Sequence, residues 1–369
     1  MGDDNLLLFK RDIISFINNI KVKWPVVRRI NELWLNGHHK YLKNEIHKVF
    51  NKLEYPADNE LEYLRAVHGI NIRFFSLINK RYFKSSTDFI FNVVKDSMDQ
   101  NPEKYKELVL DFELKLNAYE QKIYAIMCSF IEKFPLVLPV LGLEYYEVQY
   151  KEEAIKKLGL TTVNFEDIKD FYIETFEDII EIFDLIIAYE NLLMRNDFTI
   201  MDYAINNQIK TLNDFQTKMK NKGKKLEFIN SLKRLDKVLY TTIDNKLRNA
   251  IGHRSYEYEV ESQKIIYFSS GIIGKGNQEE IYLNEFVIKC IDLFRTVLNV
   301  GEIVYQTRKN MLVFKGCQVR SVTDYYPEIG DFDDKIIKSH SEKIKLKHQK
   351  KKKKLRSQKE ARKINRRRK

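Results

Sequence analysis

Phe165, Ile168, Tyr172, Phe176, Ile179, Phe183, Ile186 and Ile187 follow one another at spacings of mostly three and four residues. That period lays them along one face of a helix, and the spacing predicts a single helix from Asn164 to about Arg195. Asn164 suits an N-cap, and Asp167 three residues on complements the positive helix start. So long an apolar stripe needs other helices to cover it. Val109, Phe112, Leu116, Tyr119, Ile123, Ile126 and Met127 form one partner stripe, which Pro135 and Pro139 are expected to end. Phe286, Cys290, Ile291, Phe294, Val297 and Leu298 form another, in a last helix from about Asn284 to Arg308. Six prolines and thirteen glycines in 369 residues leave room for long helices.

The rest of the chain follows the same pattern until residue 253. Asp12, Ile13, Ile14, Phe16, Ile17 and Ile20 open an amphipathic segment that Pro25 interrupts. A boundary is expected near Gly159-Leu160-Thr161-Thr162. Thr199 and Asp202 read as the cap of a next helix. Gly223 then separates that helix from a third, carrying Leu226, Ile229, Leu232, Leu235 and Leu239. After it the period changes: Tyr256, Tyr258 and Val260, then Ile266, Tyr267 and Phe268, cluster as strands do. Gly271, Gly274 and Gly276 make a turn, and Ile281 to Leu283 return. The fold expected is mainly α: two helical domains, 1–158 and 159–312, the second a bundle with a small β-hairpin insertion. A linker, 313–334, and a disordered basic tail, 335–369, complete it.

Charge is unevenly spread. Lys335 to Lys369 hold eighteen lysines and arginines against Glu342 and Glu360, a net of +16. The whole chain carries +12, so the folded body is slightly acidic and its average charge does not mark a nucleic-acid binder. Cys128, Cys290 and Cys317 form no CxxC pair, as expected of a reducing compartment. The acidic start Met1-Gly2-Asp3-Asp4 is unlike an export signal, and the apolar run Pro135–Leu143 is too short to span a bilayer. A cytoplasmic protein with no membrane segment is expected. His38, His39, His47 and His68 lack the spacing of a zinc site and read as surface or packing residues.

Chemistry concentrates in Leu247-Arg248-Asn249-Ala250-Ile251-Gly252-His253. Arginine grips a phosphate through two parallel N–H donors, and histidine exchanges protons near neutrality. Asp244 and Arg248 are four apart, as are Asn249 and His253, so a helix presents cation, amide and imidazole on one ridge. Asp244 is expected to fix the guanidinium. Gly252 opens room beside His253 or marks the helix end. RNA brings its own nucleophile, the 2′-hydroxyl. Cleavage then needs a base, an acid on the opposite side of phosphorus, and positive charge at the transition state. One histidine cannot easily serve both sides, so a single pair per chain points to a site shared in a homodimer, with no metal or other cofactor required.

This stretch resembles the signature of the HEPN superfamily of helical nucleases: arginine, a polar residue, about three others, then histidine. Arg248, Asn249 and His253 fill those places, and the resemblance covers about residues 160–312. It implies that Arg248 contacts the scissile phosphate, that Asn249 positions it, and that His253 acts as acid and base. Such proteins are often toxin-like or abortive-infection nucleases that cut RNA as dimers. A related variant carries a modifiable tyrosine two residues after its histidine; here that place is Ser255. The role of residues 1–158 is open between sensing a trigger or binding an antitoxin-like partner, restraining the nuclease and helping dimerisation.

Lys350, Lys351, Lys352, Lys353 and Lys354, with Arg366, Arg367 and Arg368, form two blocks of like charge with too little apolar surface to fold alone. They read as an arm that gathers RNA through its phosphates. The competing reading of the whole chain is a non-catalytic RNA-binding or assembly protein whose affinity lies in that arm.

Overall fold

The structure, a computed structural model, describes residues 2–49, 56–76, 78 and 83–318. The linker beyond Gln318 and the basic tail lie outside the described residues. Thirteen α-helices and a small sheet make up the described chain, so it is mainly α as expected. They are α1 (Asp3–Val22), α2 (Trp24–Leu35), α3 (His39–Ile46), α4 (Glu60–Phe75), α5 (Phe83–Gln100), α6 (Pro102–Asp111) and α7 (Glu113–Leu141). After these come α8 (Val148–Lys157), α9 (Phe165–Arg195), α10 (Leu212–Lys218), α11 (Lys222–Ile229), α12 (Asn245–Gly252) and α13 (Leu283–Phe314). Strands β1 (Tyr256–Glu259), β2 (Lys264–Phe268) and β3 (Gln278–Tyr282) stand between α12 and α13.

Contacts divide the chain into two compact units. The larger combines Met1–Ile17 with Phe75–Gln318; the described part of the smaller lies within Asn18–Phe74. In the smaller unit α2 buries Val27, Ile30, Leu33 and Trp34. Asn31 and Asn71 exchange amide hydrogen bonds of 2.8 and 2.9 Å. His39 lies between Trp34 and Tyr63, ring centroids 5.8 and 5.2 Å away, and His47 Nε2 is 3.1 Å from the Pro56 carbonyl. Those histidines have packing and backbone neighbours.

The larger unit is built on α7, α9 and α13, which pack on one another. Phe130 of α7 stacks on Phe294 of α13 with centroids 3.7 Å apart, and Phe171 of α9 closes on Phe130 at 6.0 Å. α9 runs Phe165–Arg195 with Asn164 as its cap, its amide oxygen accepting from Glu166 N–H. This core crosses residue 158: α5 and α6 pack beside α9 and α13, and Leu160 is tied at both its N–H and its carbonyl to Gln263, each at 2.7 Å. The compact units thus divide elsewhere than at the Gly159–Thr162 break, which is a connection inside one core.

Pro135 and Pro139 do not end α7; the helix carries both to Leu141. They are four apart on the exposed face, while Phe134, Val137, Val140 and Leu141 are buried. The proline rings thus point away from the core, and burial of the opposite stripe holds the helix together despite the two lost N–H donors. With the turn after it, Glu113–Tyr145 is long and apolar enough to cross a membrane, but 56% of its most apolar window is buried inside the protein. Its role in the core accounts for that apolarity.

Between α9 and α12 the chain is less helical than its leucines imply. Thr211, not Thr199, caps α10, in a reciprocal capping box with Asp214. Gly223 lies in the first turn of α11, where an added Cβ would meet Asn245 Nδ2 at 2.5 Å. A side chain there would need the Asn245 amide to move aside. Leu232 and Leu235 are buried from turns after α11 has ended. Beyond α12, β1, β2 and β3 form an antiparallel meander with Ile265 opposite Ile281; the returning segment falls earlier than expected, at Gln278–Tyr282, and Leu283 already begins α13. Val260 falls outside β1, in the exposed first turn, and the glycines 271, 274 and 276 all take positive φ in the second loop.

Candidate active site

Helix α12 is short, and both its ends are specified. Asp244 is its N-cap; one carboxylate oxygen accepts from Lys246 N–H at 2.8 Å and Leu247 N–H at 3.4 Å. It therefore satisfies the backbone and does not hold Arg248, contrary to the expectation drawn from its spacing. Leu247, Ala250 and Ile251 turn inward, against α9 and β2. Arg248, Asn249, Gly252 and His253 are left toward solvent.

The C-terminus closes in a Schellman motif. Ser255 N–H bonds to the Ala250 carbonyl at 2.8 Å, and Arg254 N–H to the Ile251 carbonyl at 3.1 Å. That motif needs a left-handed residue, which is usually glycine; here it is Arg254, at φ 56°. His253 is the C-cap and is exposed, with its N–H on the Asn249 carbonyl at 2.9 Å. Its ring is shelved by the second sheet loop: a Cβ on Gly271 would lie 2.9 Å from His253 Cδ2. Among the described residues neither ring nitrogen has a hydrogen-bond partner. Gly252 is the last residue of α12, and a Cβ there would stand 3.9 Å from Arg248 Nη1.

Arg248 is held by Glu177 of α9, whose carboxylate takes Nε at 2.7 Å and also pairs with Nη2. Nη1 donates to Asn249 Oδ1 at 3.1 Å, and the guanidinium lies 5.8 Å over the Phe176 ring. These contacts leave N–H donors on the outer Nη1–Nη2 edge, and the side chain keeps 27% of its exposure. Glu177 is itself shared with Lys222, at 2.8 Å. Burial works to raise the Glu177 pKa, but hydrogen bonds and charge from Lys222 and Arg248 win and hold it below the ordinary carboxylate range. Lys222 and Lys122 also flank Glu181, each at 3.0 Å.

The structure therefore leaves Arg248 and Asn249, midway along α12, and His253, its C-cap, toward solvent, and puts Asp244 at the N-terminus. Ser255 is buried with its hydroxyl on the Ala250 carbonyl, while the Tyr256 hydroxyl sits between Glu166 and Lys169 at 2.8 and 2.9 Å. Lys350 to Lys354 and Arg366 to Arg368 lie outside the described residues. Glu177 and Arg254 were not foreseen. A trace of Glu177 exists in the sequence: Glu177 and Glu181 are like charges four apart on one helix, an arrangement that calls for cations from elsewhere. Comparison with family models, with curated proteins and with solved structures gives no match for this chain.

Proposed function

We propose that the protein is a metal-independent endoribonuclease that acts as a homodimer, in phage defence or as a growth-arresting toxin, and that its likeness to HEPN nucleases is one of mechanism. One observation carries this reading. A guanidinium braced on its inner edge and open on its outer edge shares a short, solvent-facing helix with an imidazole that, among the described residues, has no hydrogen-bond partner. The open edge suits two non-bridging phosphate oxygens. A neutral His253 takes the proton of the 2′-hydroxyl as that oxygen bonds to phosphorus. The P–O5′ bond breaks, and a protonated His253 of the second copy gives its proton to the departing oxygen. Arg248 balances the charge gathering on the phosphorane, and Arg254, one residue beyond His253, adds to the field. The products are a 2′,3′-cyclic phosphate and a 5′-hydroxyl end. The tail, on this reading, gathers RNA.

The test is cleavage in EDTA with mapping of the new ends. His253→Ala is expected to lower the rate by about 10²–10⁴-fold. Because the ring is exposed, the fold should be unaffected. Undiminished cutting by that variant overturns the assignment.

A specific observation favours a second reading. Glu177 already pairs with Arg248, and His253 occupies a helix C-cap, where its charge suits the dipole. On that reading the protein binds RNA without cutting it, and truncation after Asp334 removes most of the affinity and its salt dependence. Wild-type protein that binds but never cuts decides for it.

A further inference from the structure

A cavity of about 550 Å³ opens in the larger unit between α5, α8, α13 and the turn of Asp236–Val238. None of its lining residues belongs to α12. Its volume falls in the range that takes a small organic ligand. The base is ionic and saturated. Arg295 of α13 gives Nη1 and Nη2 to Glu144 at 2.6 and 2.9 Å, and Nη1 also to Asp292 at 3.0 Å. Nε and Nη2 donate to the Ile78 carbonyl at 3.2 and 2.9 Å. Every guanidinium donor is thus occupied, and Arg295 has none to offer a ligand.

The remaining walls are different. Lys151 and Lys237 line the cavity, and among the described residues neither forms an ion pair. Lys237 stands 5.8 Å over the Phe89 ring, and Tyr240 adds a second aromatic wall. The Ser86 and Tyr240 hydroxyls are 3.2 Å apart. The charge of Lys151 also acts on Asp292, but the lining as a whole carries three cations, Lys151, Lys237 and Arg295, against two carboxylates, Glu144 and Asp292, which leaves a positive charge for an anion. Aromatic walls beside them would be superfluous for a bare inorganic anion. The carboxylates of Glu144 and Asp292 keep lone pairs beyond those used by Arg295 and can accept N–H groups.

We infer that this cavity binds a nucleoside monophosphate. The phosphate lies between Lys151 and Lys237, and the base lies against Phe89 and Tyr240 with its exocyclic N–H groups toward the acidic wall. The inference stands apart from the nuclease reading, since it concerns other residues and is read by binding alone. It also has a route to α12: Lys237 and Tyr240 belong to the short stretch that leads into Asp244, the cap of that helix.

The experiment is calorimetric titration of the full-length protein with AMP and GMP, and with adenosine and inorganic phosphate as separate arms. The polybasic tail attracts phosphate in every variant alike, so differences between variants report the cavity. At least one mononucleotide is expected to bind saturably. Adenosine and inorganic phosphate should each bind at least about tenfold more weakly. Lys151→Ala with Lys237→Ala should weaken the nucleotide by at least about tenfold at unchanged Tm. Phe89→Leu should weaken adenosine and nucleotide together. The inference is overturned by no mononucleotide binding at millimolar concentration, by binding indifferent to the lysine pair, or by inorganic phosphate or adenosine binding as tightly as the nucleotide.

Discussion

Arg248 and Arg295 are the same side chain gripped by the same kind of partner, and they end in opposite conditions. Arg295, in the first half of α13, keeps 6% of its side-chain exposure and spends every donor on Glu144, Asp292 and the Ile78 carbonyl. Arg248, on α12, keeps 27% and is braced along one edge only. The first arrangement joins α13 to the segments around Glu144 and Ile78. The second orients a cation and leaves part of it for something else. An arginine's role is read from the donors left over after its carboxylate is satisfied, more than from the presence of the ion pair.

Arg295→Met should therefore cost the most. It strands Glu144 and Asp292 in a partly buried site, for about 3–5 kcal/mol, visible as a large drop in Tm. Making Glu144 and Asp292 apolar in the same protein should recover much of that loss. Arg248→Ala, by contrast, should cost no more than about 1 kcal/mol, since its pair is partly solvated. Comparable losses at the two arginines would break the distinction.

Gly271→Ala probes the loop that shelves His253. The residue sits at φ +74° and its new Cβ would fall 2.9 Å from His253 Cδ2, so a loss of about 1–2 kcal/mol is expected with a fall in cleavage. In a His253→Ala background the steric part should vanish while the backbone part stays. A loss of equal size in both backgrounds would show that the ring does not rest on this loop.

Arg254→Gly carries the opposite sign. Glycine fits the left-handed C′ position better than arginine does, so Tm should rise, by roughly 0.5–1 kcal/mol of stability, while RNA cleavage falls. A gain in stability with full activity would make Arg254 a bystander.

These contrasts mark what the sequence can express. The helix from Phe165 to Arg195 was legible from its own residues, because its period and its cap are local properties. The persistence of α7 through Pro135 and Pro139 was not, since it depends on which face of the helix the core covers. The leucines from 226 to 239 carry a helical spacing, yet Leu226, Leu232 and Leu235 are buried from a short helix and turns, which periodicity alone cannot separate. At the site, Arg248 and Asn249 lie midway along α12 and His253 caps it, all three toward solvent. The partner of Arg248 was misjudged for a physical reason. Asp244 is four residues away along the chain, but an aspartate at an N-cap meets unsatisfied N–H groups first. The carboxylate that reaches Arg248 comes from a residue 71 positions away, and no local spacing encodes that.

The smallest effect tests the brace itself. Glu177→Gln keeps the shape and one acceptor but removes the charge that Arg248 and Lys222 share, so the loss near neutral pH should stay below about 1 kcal/mol. Its pH dependence is more telling. The folded-state pKa of Glu177 is held below its unfolded value, about 4.3 for a free glutamate, so its contribution is complete above that value. The contribution fades as pH falls through the depressed folded value, where the carboxylate protonates and releases both cations. The Tm difference between wild type and Glu177→Gln should therefore be flat from pH 7 to about 5 and shrink on further acidification. A difference that grew toward acid would mean that the carboxylate is not the charged partner of Arg248, and the contrast with Arg295 would lose its basis.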